Sequence, residues 1–148
     1  MPGTAVAIRA AAVTAFGVRL DEHVEMLRDD GVKLADAAEK GGLDAIVPVC
    51  PGWQVRDVLR HLGGVHRWAA CPVRGRRRRP CTAEEEQKFF TQVGDDALVG
   101  WYRSGHAALV QVLSEADAGL ECWSFLPAPT PLAFASASTG TRQLRCLA

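Results

Sequence analysis

The sequence has no excess charge of either sign. Seventeen Lys and Arg residues cancel seventeen Asp and Glu, so the chain as a whole projects no field toward nucleic acid or an anionic membrane. It has no apolar run near the roughly 18 residues that a membrane span requires. None of its five cysteines, Cys50, Cys71, Cys81, Cys122 and Cys146, belongs to a CxxC pair, and their number is odd. That argues against a zinc ribbon and against a secreted disulfide framework. A reducing, cytoplasmic compartment is the expectation. Histidine is scarce: His23, His61, His66 and His106 are the full set, and no Glu follows Glu121.

What remains is an ordinary globular composition, 148 residues with 48% hydrophobic side chains, enough for one buried core. Residues 1–19 are rich in Ala and Val, but Arg9 interrupts them and no basic stretch comes first. They read as a weakly structured extension rather than a signal peptide.

The central stretch is VPVCPGWQVRDVLRHLGGVHRW, 47–68. Pro48 and Pro51 keep the backbone extended or turned, and Gly52 permits a tight reversal. A helix from about Gln54 to Ala70 follows. Val55, Val58, Leu59, Leu62 and Val65 share its apolar face, with Arg56, Arg60 and Arg67 opposite in solvent. Gln54 stands where Ser or Thr would complete a capping box with Asp57, so it is a weaker cap. His61 lies at the rim of the apolar face, able to point between packed helices. His66 is about 140° round the same helix, so the two cannot face one ion. Gly63-Gly64 costs about 2 kcal/mol relative to two alanines. Either a neighbour approaches closely there or the packing simply tolerates the pair.

Elsewhere, Leu20, Val24, Leu27, Gly31, Leu34 and Ala38 repeat at steps of four and three, which predicts a helix over about Leu20–Lys40 stopped by Gly41-Gly42. His23 sits beside that stripe as an exposed or rim residue. CPVRGRRRRPCT, 71–82, reads as a solvated basic loop. A phosphate or nucleic-acid contact through Arg74 and Arg76–Arg79 is the sharper alternative, but no aromatic residue interleaves with the arginines. EEEQKFF, 84–90, predicts one or two helical turns pinned by Phe89 and Phe90. Asp95-Asp96 should cap a long helix to about Asp117, with Leu98, Trp101, Tyr102, Gly105, Ala108, Leu109, Val112 and Leu113 inward and His106 at the core edge. Gly119 ends it, and ECWSFLPAPTPLAF, 121–134, runs extended.

Four segments in order, LRDDGVKLADAAE (27–39), CPGW with RHLGGVHRW, DDALVGWYRSGHAALVQVL (95–113) and ECWSFLPAPTPLAF, resemble the mycothiol-dependent maleylpyruvate isomerase family, in particular its metal-binding N-terminal domain. The resemblance runs from about Leu20 to Phe134. It implies an all-α, DinB/YfiT-like up-down bundle over 20–135, with three long helices and an incomplete fourth, followed by an irregular tail at 136–148.

It also implies that His61 binds a divalent metal, zinc first among candidates, with mycothiol as cofactor and a small organic substrate isomerised by thiol addition, rotation and elimination. In the family the last helix supplies an acidic ligand and a His four residues on. Here Leu132–Ala135 match its start, and then the chain reads SASTGTRQLRCLA. A frameshift or truncation, with weak activity or none, is the expectation, and Cys122 is the one other donor weighed as a partner for His61. Catalytic and cofactor-binding residues stay unassigned. The missing helix predicts marginal stability or a homodimer that fills the gap. The competing function is a non-catalytic helical module that binds a protein partner.

Overall fold

The structure is a computed structural model that describes residues 20–90, 93–117, 120 and 122. Among them are four helices, α1 (Leu20–Gly41), α2 (Val55–Arg74), α3 (Ala83–Phe89) and α4 (Asp95–Glu115). The only strand-like feature among the described residues is an isolated antiparallel bridge between Ile46 and Gln54. This is the all-α helical bundle that the sequence implies. The incomplete fourth helix expected near Leu132 and the 136–148 tail lie outside the described residues.

Each helix has a local reason to begin and end. Asp21 and Glu22 occupy the first turn of α1 and Lys40 its last, the signs that suit the helix dipole. Gly42 then takes a left-handed conformation at φ 83°, where a Cβ would be strained. The loop from 42 to 54 folds back on itself. Val47 N–H donates to the Trp53 carbonyl and Val55 N–H to the Ala45 carbonyl, each at 2.9 Å. Asp57 reaches back from the first turn of α2 to accept the Gln54 N–H at 2.9 Å. The Gln54 side chain donates through Nε2 to the Asp44 carbonyl.

α2 runs further than the pattern predicts. Cys71, Pro72, Val73 and Arg74 continue the helix rather than opening a loop. Pro72 removes one backbone donor, but its ring and Val73 are buried in the core, and this burial offsets the lost bond. Gly75 and Arg77 N–H groups then close the end on the carbonyls of Cys71 and Pro72. α3 starts at a full capping box. Thr82 Oγ1 accepts from Glu85 N–H while the Glu85 carboxylate accepts from Thr82 N–H, a pairing that satisfies two orphan donors. At α4 the cap is Gly94, and Asp95 and Asp96 lie inside the first turn instead of before it.

Two apolar clusters form the core. One joins Leu20, Val24 and Leu27 of α1 to Ala69, Ala70 and Val73 of α2 and Leu109, Val110 and Leu113 of α4. The other joins Ala35 and Ala38 to Val58, Leu59 and Leu62 and to Leu98 and Tyr102. So α1 runs antiparallel to α2 and α4, which run parallel to each other. The connection carrying α3 makes the crossover that a parallel pair needs. Buried positions of every long helix lie between the clusters, among them Gly31 on α1, His66 on α2 and His106 on α4.

The arginines of α2 do not simply face solvent. Arg56 pairs with Asp44 and Asp95, and Arg60 pairs with Asp95 at 2.6 Å and donates to the Val93 carbonyl. Arg67 donates to the carbonyls of Gly63 and Trp101 and lies 4.0 Å over the Trp101 ring. The wheel placed them correctly opposite the apolar stripe, but α4 and the 42–54 loop fold over that side. The glycines of 63-64 make room for this. A Cβ at Gly63 would stand 2.2 Å from the Trp101 ring, and one at Gly64 2.3 Å from the Phe90 ring.

Candidate functional site

His61 lies in the second turn of α2, on its exposed side. It does not point into a seam among the described helices, as its place on the wheel suggested. Its ring meets Trp53 edge-on, with centroids 5.6 Å apart. Trp53 itself is 38% exposed, and Ile46 and Val49 on the same loop are exposed as well. The 42–54 loop and the start of α2 thus present one imidazole on an apolar, open surface.

Two further histidines sit in the core. His66 and His106 are both buried, with ring centroids 5.3 Å apart. Tyr102 completes the group, 5.5 Å from His66 and stacked on His106 at 6.0 Å. His106 Nε2 stands 3.1 Å from the Arg28 carbonyl, so that nitrogen carries the proton and donates. The Nδ1 atoms of both rings are buried without a hydrogen-bond partner.

Both rings are held neutral. Burial, then the neighbouring His106 and Arg67, pulls the His66 imidazole down to about 3. Burial also lowers His106, against the Arg28 hydrogen bond, which favours its charged form. Burial raises the Tyr102 phenol well above its usual range. Gly31 is what lets His106 enter: a Cβ there would stand 2.1 Å from the ring. The core-edge place expected for His106 is observed, but its pairing with His66 was not foreseen. The signal was present in the spacing. His66 follows Leu59 and Leu62 at steps of seven and four, and His106 follows Tyr102 at four, which puts both on buried stripes.

The structure keeps His61 apart from these rings, as the 140° offset from His66 requires. Among the described residues no group of three or more His, Cys, Asp or Glu side chains could hold a metal ion. Cys122 is buried against the cluster of Leu20, Ala69 and Leu113, and burial raises its thiol. It is a packed thiol rather than a partner for an exposed imidazole. A catalytic divalent site uses about three protein ligands and an open position. The described residues do not fit one.

The family of the mycothiol maleylpyruvate isomerase N-terminal domain matches residues 24–145. The chain belongs to this family. The matched span takes in all four helices but the first turn of α1, and it continues past Phe134 into the segment the sequence reading set apart as a tail. No curated protein and no solved structure matches the chain. Membership in the mycothiol maleylpyruvate isomerase N-terminal domain family gives the chain a mycothiol-associated context. No helix among the described residues is long and apolar enough to cross a membrane.

Proposed function

We propose that the chain is a divalent-metal-binding helical domain of the mycothiol-dependent isomerase type that holds its ion weakly and has little or no turnover of its own. The reading rests on the family match over residues 24–145 and on the helix that carries His61. The observation that supports it is the exposed His61 imidazole on α2, edge-on to Trp53, within the span that the family matches. An exposed imidazole is an open ligand position, and zinc suits imidazole well. His61 would supply one imidazole nitrogen to such an ion, and a single protein ligand would hold it weakly. The cofactor by this reading is mycothiol, and the substrate is a small organic acid with an activated cis double bond.

The test is metal analysis of the purified chain beside His61→Ala, together with an isomerase assay using mycothiol and maleylpyruvate. The expected result is sub-stoichiometric zinc that dialysis removes, lower still in His61→Ala, with trace turnover or none. A full equivalent of retained metal, or metal uptake untouched by His61→Ala, contradicts the reading.

A further inference from the structure

Cys71 and Cys81 are ten residues apart in sequence, yet their sulfurs lie 3.1 Å from each other, with the Cys81 thiol donating to Cys71 Sγ. Neither is part of a disulfide. The approach depends on the extension of α2 past Pro72, which carries Cys71 to the helix end, and on the turn at Arg76, the one non-glycine residue with positive φ among those described.

Arg77 sits on both sulfurs, its Nη1 3.3 Å from Cys71 Sγ and 3.9 Å from Cys81 Sγ. Glu85 holds that guanidinium with two parallel hydrogen bonds, 2.7 Å and 3.1 Å. The same carboxylate caps α3, so the fork is fixed at the start of a helix. Arg77 draws the Glu85 carboxyl down to about 2.

The two thiols differ. Cys71 is half-buried and lines a cavity of about 500 Å³ between α2, α3 and α4. Cys81 is buried behind it and does not line the cavity. Burial, reinforced by Cys71, pushes the Cys81 thiol up to about 11. Arg67, Arg74 and Arg77 line the same cavity against the single carboxylate of Glu85. The wall beside Cys71 is therefore net positive and suits a small anion.

We propose that Cys71 and Cys81 form a redox dithiol that reduces a small anionic disulfide bound in this cavity. Cys71, as thiolate, attacks one sulfur of the disulfide. A Cys71–ligand mixed disulfide forms and the first ligand thiolate leaves, taking up a proton. Cys81 then loses its proton and attacks the Cys71 sulfur, expelling the second ligand thiolate. Two cysteine thiols become one disulfide, one ligand disulfide becomes two thiols, and the two cysteine protons end on the products. Arg77 supplies the countercharge to each sulfur in turn. Closing the protein disulfide needs a movement of about 1 Å, from the present contact to a bond length of about 2 Å. This activity is independent of His61 and of any metal.

The test uses the fully reduced chain, with the dicarboxylate dithiodiglycolate as probe and neutral hydroxyethyl disulfide for comparison. The products are read by intact mass and peptide mapping after acid quench. The wild-type chain should lose two hydrogens and yield a Cys71–Cys81 linked peptide. Cys81→Ser should stop at a thioglycolate adduct on Cys71, and Cys71→Ser should give neither product on that timescale. The dianion should react about tenfold faster than the neutral reagent, and Arg74→Gln should narrow that ratio. First linkage through any other cysteine overturns the proposal. So does equal reactivity toward both reagents, or a Cys81→Ser chain that folds as judged by its helical circular dichroism yet carries no adduct on Cys71.

Discussion

The imidazoles of His66 and His106 lie with centroids 5.3 Å apart in the layer that divides the two halves of the core. Folding must keep both uncharged, and acid opposes this. The folded pKa of His66, about 3, is below its ordinary value of 6.5. The unfolded chain therefore takes up a proton between those values while the folded chain does not. Stability is fully present above pH 6.5 and is lost as pH falls through that window, by up to about 1.4 kcal/mol per pH unit for one such group. Urea unfolding at pH 7, 6 and 5 should show this fall, made steeper by His106, which is lowered in the same direction. His66→Met removes the titrating ring and should flatten the profile. An unchanged slope would mean that other groups control it.

Gly31 and His106 should behave as a pair. Gly31→Ala places a Cβ 2.1 Å from the ring, and the overlap should cost about 1–3 kcal/mol. In a Gly31→Ala, His106→Ala double variant the added methyl meets space rather than a ring. Its stability should exceed the sum of the two single effects, which a double-mutant cycle on thermal unfolding measures. Strict additivity would place the strain elsewhere.

Asp95 clasps Arg56 and Arg60 at the start of α4. Its side chain is 40% exposed and those of the two arginines about a quarter exposed. Solvent screening therefore limits the network, and Asp95→Asn should cost about 1 kcal/mol at low salt and less at 1 M NaCl. A loss that salt leaves unchanged would point to local packing at the start of α4 rather than ion pairing.

Much of the architecture was legible because it is periodic. The stripe from Leu20 to Ala38 and the inward set from Leu98 to Leu113 gave two helices to within a residue or two of their observed ends. What periodicity carries less well is the exception to a local rule. Pro72 reads as a helix breaker, but burial of its ring and of Val73 keeps the helix going, and no local pattern reports that burial. The pairing of Cys71 with Cys81 follows from this extension and from the turn at Arg76, so residue spacing alone did not show it. The arginines of α2 were placed on the right side, but the acids that clasp them come from segments distant in sequence.

For the histidines the limit was different. A helical wheel ranks positions by angle, and His61 falls near the apolar edge. Its burial depends on whether another element covers that edge; His61 is exposed, and Trp53 meets its ring edge-on. His66 and His106 lie on covered stripes, so two rings that the sequence reading did not join share the core.

The most direct test of the account is a zinc titration of the uniformly ¹⁵N-labelled chain, followed through the imidazole nitrogens at pH 7. The account predicts that the His61 resonances move alone, with millimolar affinity, and that those of His66 and His106 stay where neutral buried rings put them. Tight saturation of His61 at one equivalent, or zinc-induced shifts of the His66 and His106 pair with His61 unmoved, would contradict it.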